Sequence, residues 1–395
     1  MQDSRNRLPR RQAGKPSRRE FLQGAVATGA GIAALSRPPA HARGRSQAES
    51  RRSPEYLGYV SFQDDNRISI CTVNPSTGRL TWREDVAVDG GPAPLAIDPA
   101  ANTLYVGKRV SDEIASYRID RSTGGLTLVG AVPLQGEPVH VSTDRTGRYV
   151  LSAYWHQSTV GVHAVDANGV AVFPPIEWRY TAPGAHAIQS DPSNRYVFVP
   201  HTARPGQPNG IFQFRFDEST GRLTPNDPPL LELQATLGPR HICFHPTRDV
   251  VYSSDEQGSS VTAYALDPAT GTLAPFQTIS SLPGGARRDR NTCSQIQIHP
   301  SGRFLYVPNR GHESVASFTI DSSTGRLAAT GWVPTEPRPR VFSLDPEGRF
   351  LFVAGRESGK LASYEVDQDS GKLTPLEIYE GGDAPLWVMI TRLTV

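Results

Sequence analysis

Short apolar runs in this sequence carry arginine, histidine and glutamine at their leading ends. The runs belong to a recurring phrase of apolar stretch, Pro/Gly turn and second apolar stretch: "AIDPAANTLYVG", "VSTDRTGRYVLS", "QSDPSNRYVFVP", "CFHPTRDVVYSS", "QIHPSGRFLYVP" and "SLDPEGRFLFVA". Six residues ahead of the turn proline or its equivalent stand Ala93, Val139, His186, Arg240, Ser294 and Arg340. Five ahead stand Pro94, His140, Ala187, His241, Gln295 and Val341. Beyond the second run come Lys108, Arg109, Tyr154, Trp155, His156, His201, Asp255, Glu256, Asn309, Arg310, His312 and Arg356. A strand covered on both faces should be apolar, so this gathering of cations and imidazoles around a few acids needs a reason.

Guanidinium presents a planar fork that fits carboxylate or phosphate, and histidine and glutamate are the usual general acids and bases near neutral pH. Together they describe a site for an anionic substrate. Glu256, flanked by "SSDEQGSS" and facing several cations, reads as functional, whereas His245 and His299 sit in "HP" turns and read as structural. No His-x-His or His-x₃-His pair is joined by carboxylates, so neither a metal nor another cofactor is expected. A Gly-x-Ser-x-Gly elbow, a P-loop, a dinucleotide fingerprint and a Cys-x-x-Cys-His haem motif are all lacking.

The elements that must position these groups repeat. Asp-x-x-Thr-Gly-x-Leu or a close variant occurs at Asn74, Asp120, Asp166, Asp217, Asp267, Asp321 and Asp367; the turn glycines, from Gly78 to Gly371, step by 46, 45, 52, 50, 54 and 46 residues. Such a period signals propellers or solenoids. Each period holds four short stretches rich in β-branched and aromatic residues with turn punctuation between them. The expectation is an all-β chain: a seven-bladed β-propeller with four antiparallel strands per blade. The first blade starts at "YLGYVSF" without an inner strand, and the closing "APLWVMITRL" supplies one, so the C-terminal strand should close the ring.

Residues 1–42 follow a different grammar. "SRREFL" resembles a twin-arginine motif, a weakly apolar stretch follows, and Ala40-His41-Ala42 has the form of a cleavage site. The apolar stretch falls short of the ~20 residues that span a bilayer. The expected organisation is a twin-arginine signal peptide at 1–42, a flexible linker at 43–55 and one propeller domain at 56–395. The protein would then be periplasmic or secreted, with no membrane span after cleavage, and the twin-arginine translocase as its partner during export. The leader holds eight Lys/Arg and two acids, so totals of 41 and 39 fall to 33 and 37 without it. A net charge near −4 excludes the basic footprint of a nucleic-acid binder. Three cysteines do not make a disulfide framework and read as small buried hydrophobes.

"GPRHICFHP", "SSDEQGSSVTAYALDPATGTL", "NRGHESVASFTIDSSTGRL", "PTEPRPRVFSLDPEGRFLFVAG" and "GDAPLWVM", in order over residues 56 to 393, resemble the seven-bladed lactonase family of 6-phosphogluconolactonases and muconate-lactonizing enzymes. "APLAIDPAANTLYVGKRVSDEIASYRID" and "GEPVHVSTD" look closest to the bacterial phosphogluconolactonases. The resemblance implies a site of His186, Arg240, Glu256 and Arg310, all already in the polar set. It also places Gln295 where the family usually has an acid. The expected activity is hydrolysis of a sugar or organic-acid lactone, or lactonization in reverse, by a monomer. His186 or Glu256 would be the base, Arg240 and Arg310 the anion and oxyanion holders, and His140, His241, His312, Arg340, Lys108, Arg109 and Gln295 the substrate-binding groups. The rival expectation is a non-catalytic exported propeller that binds a ligand or protein, which Gln295 favours.

Overall fold

The computed structural model describes residues 56–392 apart from 203, 205–207, 234 and 235; the expected signal peptide and linker lie outside the described residues. Seven antiparallel sheets follow one another along the chain. Blade 1 holds Tyr56–Phe62, Arg67–Val73 and Leu80–Ala87, and its innermost strand is the C-terminal Pro385–Thr391, paired with Tyr56–Phe62 as expected. Blades 2 to 5 and 7 each run from an inner to an outer strand; blade 5, for example, is Pro239–Phe244, Val250–Asp255, Ser260–Asp267 and Thr272–Ser280. Blade 6 differs because its inner strand is broken into Thr292–Cys293 and Gln297–Ile298, both paired with Phe304–Arg310. Apart from one 3-10 turn at Arg288–Arg290, the elements among the described residues are all strands.

Burial explains the pattern of the runs. A second strand such as Val250–Asp255 is buried at every position, whereas an outer strand such as Leu80–Ala87 is mostly open to water. Inner strands are wedged between neighbours and outer strands form the rim, so most charges sit on the rim, where they keep their water.

The repeated Thr-Gly turn joins the third strand of a blade to its fourth and packs on the blade before it. In blade 6, Asp321 Oδ1 accepts the backbone N–H groups of Ser323 and Thr324 at 3.0 and 2.7 Å, and Gly325 lies at φ +72°. Tyr252 of blade 5 donates its hydroxyl to the Gly325 carbonyl at 2.8 Å. Tyr59, Tyr105 and Tyr306 do the same for Gly124, Gly169 and Gly371. A side chain at Gly271 would collide with the Tyr196 ring of the preceding blade. The motif recurs because every blade needs the same latch to its neighbour, and positive φ with no Cβ suits glycine.

The turn between inner and second strands is held by one side chain. In blade 3 it is Asp144, which accepts the Tyr149 N–H at 2.9 Å. His245 and His299 take the same place: each Nδ1 accepts a backbone N–H two residues on, and each Nε2 bonds a carbonyl of the next blade, Gly302 or Gly348. Both histidines are therefore turn-formers, as expected. Cys71 and Cys293 are buried, Cys243 is half-buried, and all three are free thiols.

Candidate active site in the propeller channel

The residue six ahead of the turn proline is an extra residue in its strand. Pairing shifts between Pro239 and His241 in blade 5, between Pro339 and Val341 in blade 7, and between Ser61 and Phe62 opposite Leu386 in blade 1. Arg240, Arg340 and Leu386 are thus bulged. In blade 6 the strand is interrupted across Ser294, and in blade 4 the gap between Ala185 and Gln189 contains His186. A bulge re-aims a side chain that strict alternation would send elsewhere. Proline precedes the re-aimed position in five blades, at Pro92, Pro138, Pro239, Pro339 and Pro385, and proline in a sheet is tolerated where the ladder is already broken.

At the start of the inner strands these positions, together with loops after the second strands, enclose a pocket of about 200 Å³. It is lined by Arg109, Trp155, His186, Glu256, Arg310 and Arg340, among others. Glu256 follows the second strand of blade 5, and its backbone N–H is held by the Gly238 carbonyl at 2.7 Å. Its carboxylate meets three guanidiniums: Arg240 Nε and Arg310 Nη2 lie 3.0 and 3.3 Å from Oε2, and Arg204 Nη2 lies 3.3 Å from Oε1. Arg204 also covers the Trp155 ring at 4.9 Å, and Trp155 is anchored by its Nε1–H to the Thr202 hydroxyl at 2.8 Å. Arg310 donates to the Cys293 carbonyl at 2.5 Å, and Arg109 pairs with Glu137. Among the described residues no carboxylate lies within ion-pair distance of Arg340. Leaving aside Arg204, four guanidiniums (109, 240, 310, 340) stand against two carboxylates (137, 256), so positive charge is in excess.

Burial alone would raise the Glu256 carboxyl, but Arg310, Arg240 and Arg204 outweigh it and hold it below its ordinary value. Burial and the neighbouring Arg310 push Arg240 down to about 9 against the pull of Glu256. Arg340 is driven well below its ordinary value by burial, then by Arg240, Arg310 and Arg109. Guanidinium stays protonated at physiological pH, so these downward pushes express a demand for an anion. Burial and Arg240 also depress His186, which is neutral; its Nδ1 has no hydrogen-bond partner, and neither do Arg240 Nη1 and Arg310 Nε. Asp255, next to Glu256, is raised to about 6 by burial and accepts three hydroxyls, from Ser253, Ser260 and Thr262, each at 2.7 Å. It holds the blade together and does not face the pocket. Among the described residues no group of three or more His, Cys, Asp or Glu is placed to hold a metal.

The structure brings His186, Arg240, Glu256, Arg310, Arg340 and Arg109 together, and separates the rest of the expected set. His140, His241 and Gln295 line a second cavity, formed by the far ends of the inner strands. Gln295 there accepts the Phe342 N–H of blade 7 at 2.9 Å and so joins two blades. Lys108 pairs with Glu113 at 2.5 Å and lines neither cavity, because it ends its strand beside the first residue of the next. His312 turns aside to the Ser314 hydroxyl at 2.8 Å. Arg204 and Glu137 were missed: Arg204 lies in the longer loop after His201, where a fixed count of residues does not reach.

A model of the lactonase family of seven-bladed β-propellers matches residues 55–390. A 6-phosphogluconolactonase of Pectobacterium carotovorum is 35% identical over 335 residues, 85% of this chain and 98% of that protein. One from Yersinia enterocolitica is 35% identical over 334 residues, 84% of this chain and 97% of that protein. A solved periplasmic gluconolactonase of Pseudomonas aeruginosa superposes with a TM-score of 0.79 at 24% identity, covering 86% of this chain and 100% of that one; this likeness shows the fold. With the repeat, the closed ring and these matches in agreement, the chain belongs to the family of seven-bladed β-propeller lactonases.

Proposed function

We propose that this protein hydrolyses a sugar or organic-acid lactone that carries a second, anionic group, in the pocket around Glu256. The observation that carries the reading is the excess of guanidinium over carboxylate around the pocket, with Arg340 half-buried and no carboxylate within ion-pair distance of it among the described residues. The 6-phosphogluconolactonases to which the chain is similar supply the reaction class. Arg340 and Arg109 would hold the distal anion. Arg240 and Arg310 would face the lactone carbonyl and stabilise the oxyanion that develops on it; losing one such donor typically costs ~10²-fold in kcat.

The base in this reading is His186. It is neutral, it lines the pocket, and its Nδ1 is without a partner, so it can take the proton of an attacking water and return it to the leaving alkoxide. Both oxygens of Glu256 are engaged by arginines, which makes Glu256 the organiser of Arg240 and Arg310. Export by the twin-arginine route remains part of the proposal, on the strength of residues 1–42.

The test is proton release by the purified protein against a panel of aldonolactones, phosphorylated and not, and muconolactones. His186→Gln should lower kcat ~10²-fold or more with little change in KM, and Arg340→Gln should raise KM for anionic lactones only. Turnover that is intact in His186→Gln and Glu256→Gln, or absent with every lactone, would overturn the assignment and favour a binding module.

A further inference from the structure

Beneath the pocket lies a layer of rings: His140 and His241 meet edge-on with centroids 5.3 Å apart, Trp387 stands 5.9 Å from His140, and His186 lies 5.4 Å from His241. Below this layer the far ends of the inner strands surround a second cavity of about 440 Å³. Its size is within the range of small-molecule sites.

The lining of that cavity carries charge of one sign and several donors. Arg145 is its single charged side chain, and no acid lines it. Arg145 spends Nε and Nη2 on the Asp191 and Ser190 carbonyls, at 3.0 and 2.7 Å, which leaves Nη1. His140 Nδ1 accepts the Ile188 N–H at 3.4 Å, so the ring proton is on Nε2, a donor. Gln295 uses its oxygen on Phe342 N–H, which leaves its NH₂. Gln189 has no hydrogen-bonded side-chain partner among the described residues, and His241 Nε2, on a side chain 5% exposed, has none either. Arg240 and Arg340 add a positive field at the inner end, since both bear on the His241 ring. The remaining donors of His140, Gln295 and Arg145, the Trp387 ring and the absence of carboxylate together call for a ligand rich in acceptors.

We propose that this cavity is a second binding site, back to back with the hydrolytic pocket, for a small hydroxylated carboxylate. His140, His241, Gln189, Gln295 and Arg145 would donate to its oxygens, and Trp387 would pack against its carbon chain. The proposal stands on the geometry of the cavity and does not depend on the lactonase reading.

Calorimetric titration of the full chain with sodium gluconate tests it. Two sites are expected. Arg310→Gln should weaken the pocket site alone, while Gln189→Leu and His140→Phe should each weaken the other ~10-fold and leave lactone kcat/KM, where measured, unchanged. Gln189→Leu breaks no protein hydrogen bond among the described residues, so it reads binding even if His140→Phe fails to fold. A single site abolished by Arg310→Gln, a second site indifferent to both rear variants, or no binding at all would overturn the proposal.

Discussion

Glu256→Gln and Arg340→Gln should move stability in opposite directions. Glu256 is 4% exposed and Arg240 is 2% exposed, and their contact at 3.0 Å is joined by Arg310 at 3.3 Å. Removing one partner of a buried ion pair strands the other and costs about 3–5 kcal/mol; the half-exposed Arg204 adds little, because water screens it. Unfolding entropy of ~2.1 cal/mol/K per residue over roughly 340 residues is ~0.7 kcal/mol/K, so Glu256→Gln should lower Tm by about 4–7 °C. Arg340→Gln removes a half-buried cation with no carboxylate within ion-pair distance among the described residues, and relief of ~1–2 kcal/mol would raise Tm by roughly 1–3 °C. Phosphate should stabilise the wild type by ~2.7 kcal/mol at 100 times its Kd, and Arg340→Gln by less. Scanning calorimetry in low-salt buffer, with and without phosphate, measures both. A Glu256→Gln protein that melts within a degree of the wild type, or an Arg340→Gln protein that melts lower than the wild type, would refute the charge argument.

Acid should destabilise the protein earlier than carboxylate titration would. Burial pushes His140 down to about 3 and His201 to about 4, and His186 and His241 well below their ordinary value. The folded state therefore refuses protons that the unfolded chain takes up below pH ~6.5. Stability is full above that pH and falls below it by ~1.4 kcal/mol per unit for each such histidine, while Glu256, held low, works against folding only below ~4.3. Melting curves from pH 8 to 5 should show this slope, shallower in His241→Phe; a flat profile would contradict it. Deleting residues 385–395 takes Leu386, Trp387, Val388 and Ile390 out of the core and bares the edge of Tyr56–Phe62. No cooperative melting is expected, and a truncated chain with an unchanged curve would disprove ring closure as the source of stability.

The fold was legible because the repeat is local chemistry. Seven Asp- or Asn-to-Gly turns, four strand-like runs per period and an orphan C-terminal strand each follow from turn preferences and side-chain patterning within a few residues. The demand for an anion was legible too, since arginine and histidine stood at positions that burial should reserve for apolar groups. The division of those residues was not. Arg240 and His241 are neighbours in the chain, yet one meets Glu256 and the other lines the far cavity, because a bulge between Pro239 and His241 breaks the alternation that a sequence count assumes. Gln295 stood where the family usually has an acid, but its bond to the Phe342 N–H is a contact between blades, and blade packing cannot be read from one strand. Arg204 reaches Glu256 across a loop whose length set it outside the count. Sequence determined the ring and its charge; only tertiary structure decided which side of the ring layer each charged group faces, because that depends on where separate blades converge on one axis.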